Sequence, residues 1–218
     1  MQPFALVFDM DGVIVDSNPY HKRSLLAFIR RYGYDLGEAE LREKVFGRNN
    51  REWIPNVFSD RDLSDEVVRH YAEEKERLFR EMYAEAVAPL PGLRTFLDRL
   101  QTLGVPYAIA TSAPRANVDF TLDRTDLTRY FTTILHESHF DRGKPDPEIY
   151  RRAAAALRFD PARCLVFEDS LSGVEAARRA GCPVVGVTTT HPPEELTDTV
   201  LQIPDFEGLS VEGLAQYV

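Results

Sequence analysis

The apolar residues of this chain form short runs that alternate with stretches of helical spacing. Five runs rich in apolar residues lie at 4–8, 106–110, 132–135, 163–167 and 183–187. Between the later runs, apolar residues recur every three or four positions, which is the spacing of a helix packed on one side. Strands that are apolar throughout are typical of a parallel sheet covered on both faces. The alternation therefore predicts an α/β fold with a doubly wound, Rossmann-like parallel sheet.

The segment from residue 17 to residue 88 has a different pattern. Charged residues dominate it, strand-like runs are missing, and apolar residues recur at helical spacing, most clearly at 64–86. The sequence Pro-Leu-Pro-Gly at 89–92 follows as a linker. We therefore predict an all-helical domain at 17–88, inserted into an α/β core domain that consists of 1–16 and 89–218.

Polar side chains follow three of the apolar runs, and one lysine stands in a proline-flanked loop. In an open α/β sheet, ligands bind outside the carboxyl ends of the strands, so these residues are expected to share one rim. Carboxylates, hydroxyls and one amine suit a hard divalent cation together with a phosphoryl group. The residues are Asp9 and Asp11, Thr111 and Ser112, Lys144, and Glu168, Asp169 and Ser170.

Each of these motifs has a purely structural alternative when it is taken alone. Thr111-Ser112 and Glu168-Asp169-Ser170 could cap the helices that follow them, and Lys144 could be a solvated surface charge. His136 and His139 could suggest a metal pair, but without a third ligand nearby in the sequence, solvated or core histidines are favoured. Taken together and in this order, the strand-end motifs favour a site.

Composition limits the possible partners. The 218 residues include 26 Lys and Arg against 35 Asp and Glu, a formal net charge of -9, so nucleic-acid and anionic-membrane binding are not expected. The sequence contains neither an apolar run near 18 residues nor a leader-like start, which predicts a soluble, cytoplasmic protein. Cys164 and Cys182 are expected to be buried, reduced thiols. A small phosphorylated metabolite is the expected partner, with the protein a monomer or weak homodimer.

The strand-end motifs resemble the four motifs of the haloacid dehalogenase (HAD) superfamily. In order, they are Asp9-Met10-Asp11-Gly12, Thr111-Ser112, Lys144-Pro145 and Glu168-Asp169, and they span the chain. The helical insertion after the first motif resembles the small cap of that superfamily. Within it, Lys144-Pro145-Asp146-Pro147 and the segment 168–174 are most similar to β-phosphoglucomutase and its sugar-phosphatase relatives.

The resemblance implies a role for each residue. Asp9 is expected to attack phosphorus and form an aspartyl phosphate, and Asp11 to act as general acid and base. Asp9 and Asp169 are expected to hold Mg²⁺ with the backbone carbonyl of Asp11, while Glu168 serves as a further ligand, directly or through water. Lys144 is expected to hold phosphoryl oxygens together with a threonine hydroxyl. The implied catalytic residues are Asp9, Asp11, Thr111 and Lys144, and the implied metal ligands are Asp9, Asp11, Glu168 and Asp169.

Substrate choice is expected to depend mainly on the inserted helical domain. The segment 46–51 concentrates two arginines and two asparagines after a glycine, and a histidine stands where the insertion begins. Bases there could hold a second anionic group, or the segment could be a solvated loop. The candidate substrate-binding residues are His21, Arg48, Asn49, Asn50 and, in the core domain, Ser112.

The favoured function is a Mg²⁺-dependent phosphohydrolase acting on a small phosphorylated metabolite, with sugar phosphates among the candidates. Dehalogenase activity is disfavoured because Asp11 is present. A β-phosphoglucomutase-type mutase is the alternative, although residues 113–115 lack that enzyme's serine and lysine, and Asn50 occupies the place of its cap arginine. A third possibility is a catalytically silent phosphate-binding protein on the same fold.

Overall fold

A computed structural model describes residues 3–45 and 48–218, except for the side chain of Arg42. Its strands are β1 (Ala5–Phe8), β2 (Tyr107–Ala110), β3 (Ile134–Leu135), β4 (Cys164–Glu168), β5 (Val184–Val187) and β6 (Leu201–Ile203). They form one sheet in the order β3-β2-β1-β4-β5-β6, and every neighbouring pair is parallel. The predicted doubly wound parallel sheet is therefore confirmed. The sequence pattern missed only β6, which is an edge strand of three residues.

The helices occupy the segments between the strands and the inserted region. They are α1 (Asn18–Arg31), α2 (Glu38–Lys44), α3 (Asn50–Val57), α4 (Asp65–Tyr83), α5 (Leu93–Leu103), α6 (Arg115–Arg124), α7 (Glu148–Leu157), α8 (Leu171–Ala180) and α9 (Val211–Leu214). Short 3-10 turns lie at Glu137–His139, Pro161–Arg163 and Ala215–Tyr217. Over the described ranges, none of these helices has both the length and the apolar character needed to cross a membrane.

The two faces of the sheet are covered by different elements. Successive side chains of a strand point to opposite faces, so Val7 and Phe8 face opposite sides. Val7 belongs to a buried cluster with residues of α7 and α8. The Phe8 ring stacks on Phe167, with the ring centroids 4.9 Å apart, and meets the edge of Phe96 from α5. Coverage on both faces explains why the strands are apolar throughout.

The described chain divides into two compact units. One consists of residues 3–16 with 87–218, and the other is Ser17–Ala86. In the second unit, α1 packs against α4, and a cluster of aromatic and aliphatic side chains fills the space between its helices. Trp53 belongs to this cluster. Lys75 and Glu76 of α4 are also buried in this unit, which the helical pattern of the sequence did not predict.

Both cysteines lie in the core of the first unit. Cys164 and Cys182 are buried and are not joined by a disulfide. Burial raises the pKa of Cys164 to about 11 and that of Cys182 to about 12, so neither thiol ionises near neutral pH. The predicted burial of both thiols is confirmed.

Candidate active site

The first strand delivers Asp9 to the carboxyl edge of the sheet. The Asp9 backbone N–H donates to the Phe167 carbonyl oxygen at 3.0 Å, which extends the pairing of β1 with β4 by one residue. Gly12 then turns the chain with a φ of 79°, a value that side chains disfavour. The Gly12 N–H donates to the Val15 carbonyl at 2.7 Å and closes this turn. Asp9 is buried and Asp11 is half-buried.

Lys144 joins Asp9 to Glu168. Its Nζ lies 2.7 Å from Asp9 Oδ1 and also donates to Glu168 Oε1. The Lys144 side chain is 8% exposed, which excludes a solvated surface charge. Beneath it, the ring centroid of Tyr150 lies 5.1 Å from Nζ, within cation–π range.

The carboxylate of Glu168 is held by five donors. Its Oε2 accepts from the N–H of Asp169 and the N–H of Ser170, both at 3.1 Å, and from Ser170 Oγ at 3.0 Å. Its Oε1 accepts from Lys144 Nζ and from the Tyr150 hydroxyl. A carboxylate offers about four lone-pair positions, so these contacts occupy both oxygens. Ser170 also caps α8, but this contact does not explain the burial of the two acids before it.

Gly173 makes room for this carboxylate. A Cβ atom at position 173 would stand 1.8 Å from Glu168 Oε1, so the carboxylate would have to move. Such a movement would disturb the hydrogen bonds that Oε1 accepts from Lys144 and Tyr150. The first turn of α8 therefore passes directly against the Glu168 side chain because residue 173 has none.

Asp169 completes a cluster of acids. One carboxylate oxygen each from Asp9, Glu168 and Asp169 lies within 4.8 Å of the others. The Thr190 hydroxyl, in the loop after β5, donates to Asp169 Oδ2. Clustered carboxylate oxygens are the ligands that Mg²⁺ prefers, so the donor set fits this ion. Because Glu168 is already fully hydrogen-bonded, Asp9 and Asp169 are the carboxylates best placed to hold it.

The pKa values of these groups indicate a shortage of positive charge. Burial raises the pKa of Asp9 to about 7, and the charges of Glu168 and Asp11 act in the same direction against that of Lys144. Burial, together with the charges of Glu168 and Asp9, also raises the pKa of Asp169. Glu168 differs: burial would raise its pKa, but the charge of Lys144 and the hydrogen bonds from Lys144, Tyr150 and Ser170 together lower it. Lys144 thus neutralises one carboxylate of the cluster. The remaining negative charge on Asp9 and Asp169 favours binding of a cation or sharing of a proton.

Thr111 ends the neighbouring strand β2. Its backbone N–H donates to the Leu135 carbonyl at 3.0 Å, and its Oγ1 accepts from the Ala113 N–H at 3.1 Å. Thr111 is buried, while Ser112 is exposed. The helix that follows, α6, has Pro114 at its N-cap and no side-chain cap, so neither hydroxyl caps that helix.

The other candidate substrate residues lie in the helical unit. The His21 ring stacks on Phe79 with centroids 3.7 Å apart, and its Nδ1 lies 3.1 Å from Lys75 Nζ. The Asn50 side chain donates to Glu76 Oε1 at 2.8 Å and accepts from the indole N–H of Trp53 at 2.8 Å. Asn50 is therefore bonded within its own unit on both sides of its amide.

Asn49 caps α3. Its Oδ1 accepts from the Glu52 N–H at 3.1 Å, and Glu52 Oε2 accepts from the Asn49 N–H at 3.2 Å. Arg48 is exposed, and Phe46 and Gly47 lie outside the described residues. Substrate binding by His21 and by the residues at 48–50 stays a prediction.

Sequence reasoning missed four residues that contact these candidates. Thr190 follows the apolar run at 183–187, so its position after a strand was the available signal for it, whereas Tyr150 lies within a helical pattern and no local signal marks it. Lys75 and Glu76 lie on α4, where the i, i+4 series Tyr71, Lys75 and Phe79 places a lysine on the buried face. That spacing was the available signal for Lys75. The structure brings Asp9, Lys144, Glu168 and Asp169 together, and their roles in binding and catalysis stay predictions.

Comparison with known proteins identifies the class of protein. The haloacid dehalogenase-like hydrolase family matches residues 5–181. A phosphorylated carbohydrates phosphatase of Thermotoga maritima is 35% identical over 180 residues, which are 81% of each chain. A validoxylamine A 7'-phosphate phosphatase of Streptomyces hygroscopicus subsp. limoneus is 30% identical and covers 92% of each chain. The crystal structure of a family IA, variant 3 HAD hydrolase from Entamoeba histolytica is 29% identical, covers 98% of each chain and superimposes with a TM-score of 0.89.

The chain belongs to the haloacid dehalogenase-like hydrolase family. This confirms the resemblance inferred from the four motifs and the prediction of an enzyme of this class. Both sequence relatives named above are phosphatases.

Proposed function

We propose that this protein is a Mg²⁺-dependent phosphohydrolase that hydrolyses a small phosphorylated metabolite. The observation that carries the proposal is the contact of Lys144 with both Asp9 and Glu168, beside the third acid, Asp169. A buried carboxylate paired with a lysine and close to further acids suits attack on a phosphoryl group, because that reaction needs a nucleophile held amid compensating positive charge.

In the proposed reaction, a carboxylate oxygen of Asp9 attacks phosphorus, and the bond from phosphorus to the ester oxygen breaks. Asp11 gives a proton to the departing oxygen. Asp11 then takes a proton from the water that attacks the aspartyl phosphate, which releases inorganic phosphate and restores Asp9. Lys144 holds the nucleophile and attracts the phosphoryl oxygens.

Asp9, Asp169 and the backbone of Asp11 would hold the magnesium ion. When bound, Mg²⁺ supplies positive charge that offsets the repulsion between the nucleophile and the phosphoryl oxygens. The five hydrogen bonds of Glu168 support the water-mediated alternative for this residue rather than direct ligation.

A phosphorylated carbohydrate is the proposed substrate class. The 35% identical relative, which is named for phosphorylated carbohydrates, supports this choice. A phosphatase is favoured over a mutase because position 50 carries a neutral asparagine whose amide is bonded to Glu76 and Trp53. No observation specifically favours the mutase or a silent binding protein.

The test is turnover of a panel of sugar phosphates, including β-glucose 1-phosphate, with Mg²⁺ and with a chelator. Inorganic phosphate and glucose 6-phosphate are both measured. Release of inorganic phosphate only when Mg²⁺ is present would support the proposal. Formation of glucose 6-phosphate without free phosphate would identify a mutase, and binding without either product would favour the silent protein.

Asp9→Asn gives the second test. Because the amide is a poor nucleophile, kcat is expected to fall more than about a thousandfold. Asp119→Asn is the matched control, since Asp119 is an exposed acid paired with Arg115 at 2.7 Å. Circular dichroism should show both variants folded. Full activity of Asp9→Asn would rule out the proposed nucleophile.

A further inference from the structure

Tyr150 is a fully buried tyrosine whose hydroxyl points into the acidic cluster. It lies near the start of α7, the helix that packs on β1 and β2. Its hydroxyl donates to Glu168 Oε1. A buried phenol usually finds a hydrogen-bond partner, and side-chain hydrogen bonds most often go to the backbone or to water. Here the partner is a carboxylate that also binds the lysine beside the expected nucleophile.

The ring of Tyr150 contacts the same lysine. The Lys144 Nζ lies 5.1 Å from the ring centroid, while it also bonds to Asp9 Oδ1 and Glu168 Oε1. An ammonium group has three N–H donors on a flexible stem, so its position depends on what surrounds it. Tyr150 therefore restricts the position of the Lys144 ammonium in two ways: directly through its ring, and indirectly through its hydrogen bond to Glu168.

Glu168 transmits the effect of the hydroxyl. Its Oε2 is fixed by Ser170 and by two backbone N–H groups, so the carboxylate can turn only by breaking these bonds. Its Oε1 is shared between the Tyr150 hydroxyl and Lys144 Nζ. With the hydroxyl removed, Oε1 loses one of its two described donors, and the Lys144 ammonium that bonds to it is held less firmly beside Asp9.

We propose that Tyr150 is a positioning residue that, through Glu168 and through its own ring, holds Lys144 against Asp9. Tyr150 itself touches neither substrate nor the reacting atoms in this scheme. The inference rests on the proposed function for its effect on turnover, but the placement of Lys144 that it describes can be measured without turnover.

The first variant is Tyr150→Phe, which keeps the ring and removes the hydroxyl. The expected effect is a fall in kcat of about 10- to 100-fold, because small displacements of a catalytic group have effects of this size. KM is expected to change less than kcat, because the substrate contacts made by residues other than Lys144 are left intact.

Tyr130→Phe is the matched control. Tyr130 is also a buried tyrosine, and its hydroxyl donates to a carboxylate oxygen of Asp98 at 2.7 Å. Both variants lose a hydrogen bond from a phenol hydroxyl to a carboxylate, and Tyr130→Phe also loses the bond that this hydroxyl accepts from Arg129 at 2.8 Å. Both should therefore lower Tm by about 2–4 °C. Only Tyr150→Phe should lower kcat. Equal losses of kcat in the two variants would reduce Tyr150 to a structural role and overturn the inference.

A double-mutant cycle with Glu168→Gln tests the route through the carboxylate. If Tyr150 acts through Glu168, adding Tyr150→Phe to Glu168→Gln should change kcat by less than about twofold. Independent, multiplying effects would contradict that route.

The measurement that does not need turnover is labelling of Lys144 by an amine-reactive ester, followed by peptide mass spectrometry. Tyr150→Phe should raise the rate of Lys144 labelling about threefold or more as the side chain loosens, and Tyr130→Phe should not. The exposed Lys22 serves as the internal reference. Unchanged labelling of Lys144 would overturn the inference whatever the kinetics. Increased labelling in a protein without turnover would overturn the proposed function alone.

Discussion

Glu76 links the stability of the helical unit to pH. It is 6% exposed on α4, and its Oε1 accepts hydrogen bonds from Lys75 Nζ and from the Asn50 amide, both at 2.8 Å. The perturbation is Glu76→Gln, which keeps the size of the side chain and removes its charge.

The expected size of the effect follows from the pKa of Glu76. Burial by itself would raise this pKa, but attraction to Lys75 and His21 and the two hydrogen bonds lower it from 4.5 to about 2. An acid whose pKa is lower in the folded state stabilises the fold above its unfolded pKa and loses that contribution as pH falls toward the folded value. The difference of 4.5 minus 2 corresponds to about 3 kcal/mol at neutral pH. About 1 kcal/mol of this is lost between roughly pH 7 and 3.5.

The assay is urea unfolding at several pH values, followed by the fluorescence of Trp53. This is the single tryptophan of the chain, and its indole bonds to Asn50, so it reports on the same cluster. Between roughly pH 7 and 3.5, the wild type should lose about 1 kcal/mol more stability than Glu76→Gln. Glu81→Gln is the control, because Glu81 forms a surface pair with Arg77 and such pairs contribute little.

Parallel pH profiles for the wild type and Glu76→Gln would refute this reasoning. That outcome would mean that Glu76 has the same proton affinity in the folded and unfolded chains. A profile for Glu81→Gln that departs from the wild type would show instead that surface charges dominate the acid response.

Two further substitutions test particular contacts. Gly173→Ala should lower kcat at least about tenfold and reduce Tm, because its methyl group would displace the Glu168 carboxylate; Gly213→Ala, whose methyl group would have ordinary contacts, should do neither. Asn49→Ala should destabilise the helical unit by about 1 kcal/mol in urea unfolding, because it removes the cap of α3. An unchanged KM in that variant would restrict Asn49 to its structural role, and a raised KM would support the predicted substrate contact.

Topology explains why much of the α/β unit could be predicted from sequence. Five apolar runs coincide with strands, and parallel strands carry their following residues to one edge. Asp9 after β1 and Glu168 and Asp169 after β4 meet because β1 and β4 are neighbours in the sheet. Lys144 was predicted from its motif, and the loop before α7 brings it to the same place.

Tyr150 could not be predicted in the same way. On α7 it follows the buried spacing of Ile149, Ala153 and Ala154, so its pattern is that of an ordinary core residue. Its hydroxyl contacts Glu168 because of the way α7 packs near the end of β4. No local feature of the sequence predicts that contact. The edge strand β6 was missed for a different reason, since three residues are too few to establish a period of two.

Lys75 and Lys144 both have buried side chains, but the balance of charge around them differs. This balance, rather than burial itself, distinguishes a candidate functional site from a structural ion pair. Lys75 pairs with one glutamate, and the pKa of Glu76 is lowered, as expected for a balanced ion pair that supports a fold. Lys144 also pairs with a glutamate, but Asp9 and Asp169 stand beside that pair and their pKa values are raised. A cluster with more buried carboxylates than cations is unfavourable until a cation or proton joins it. Packing alone gives no reason for such an excess, whereas binding Mg²⁺ and a phosphoryl group does.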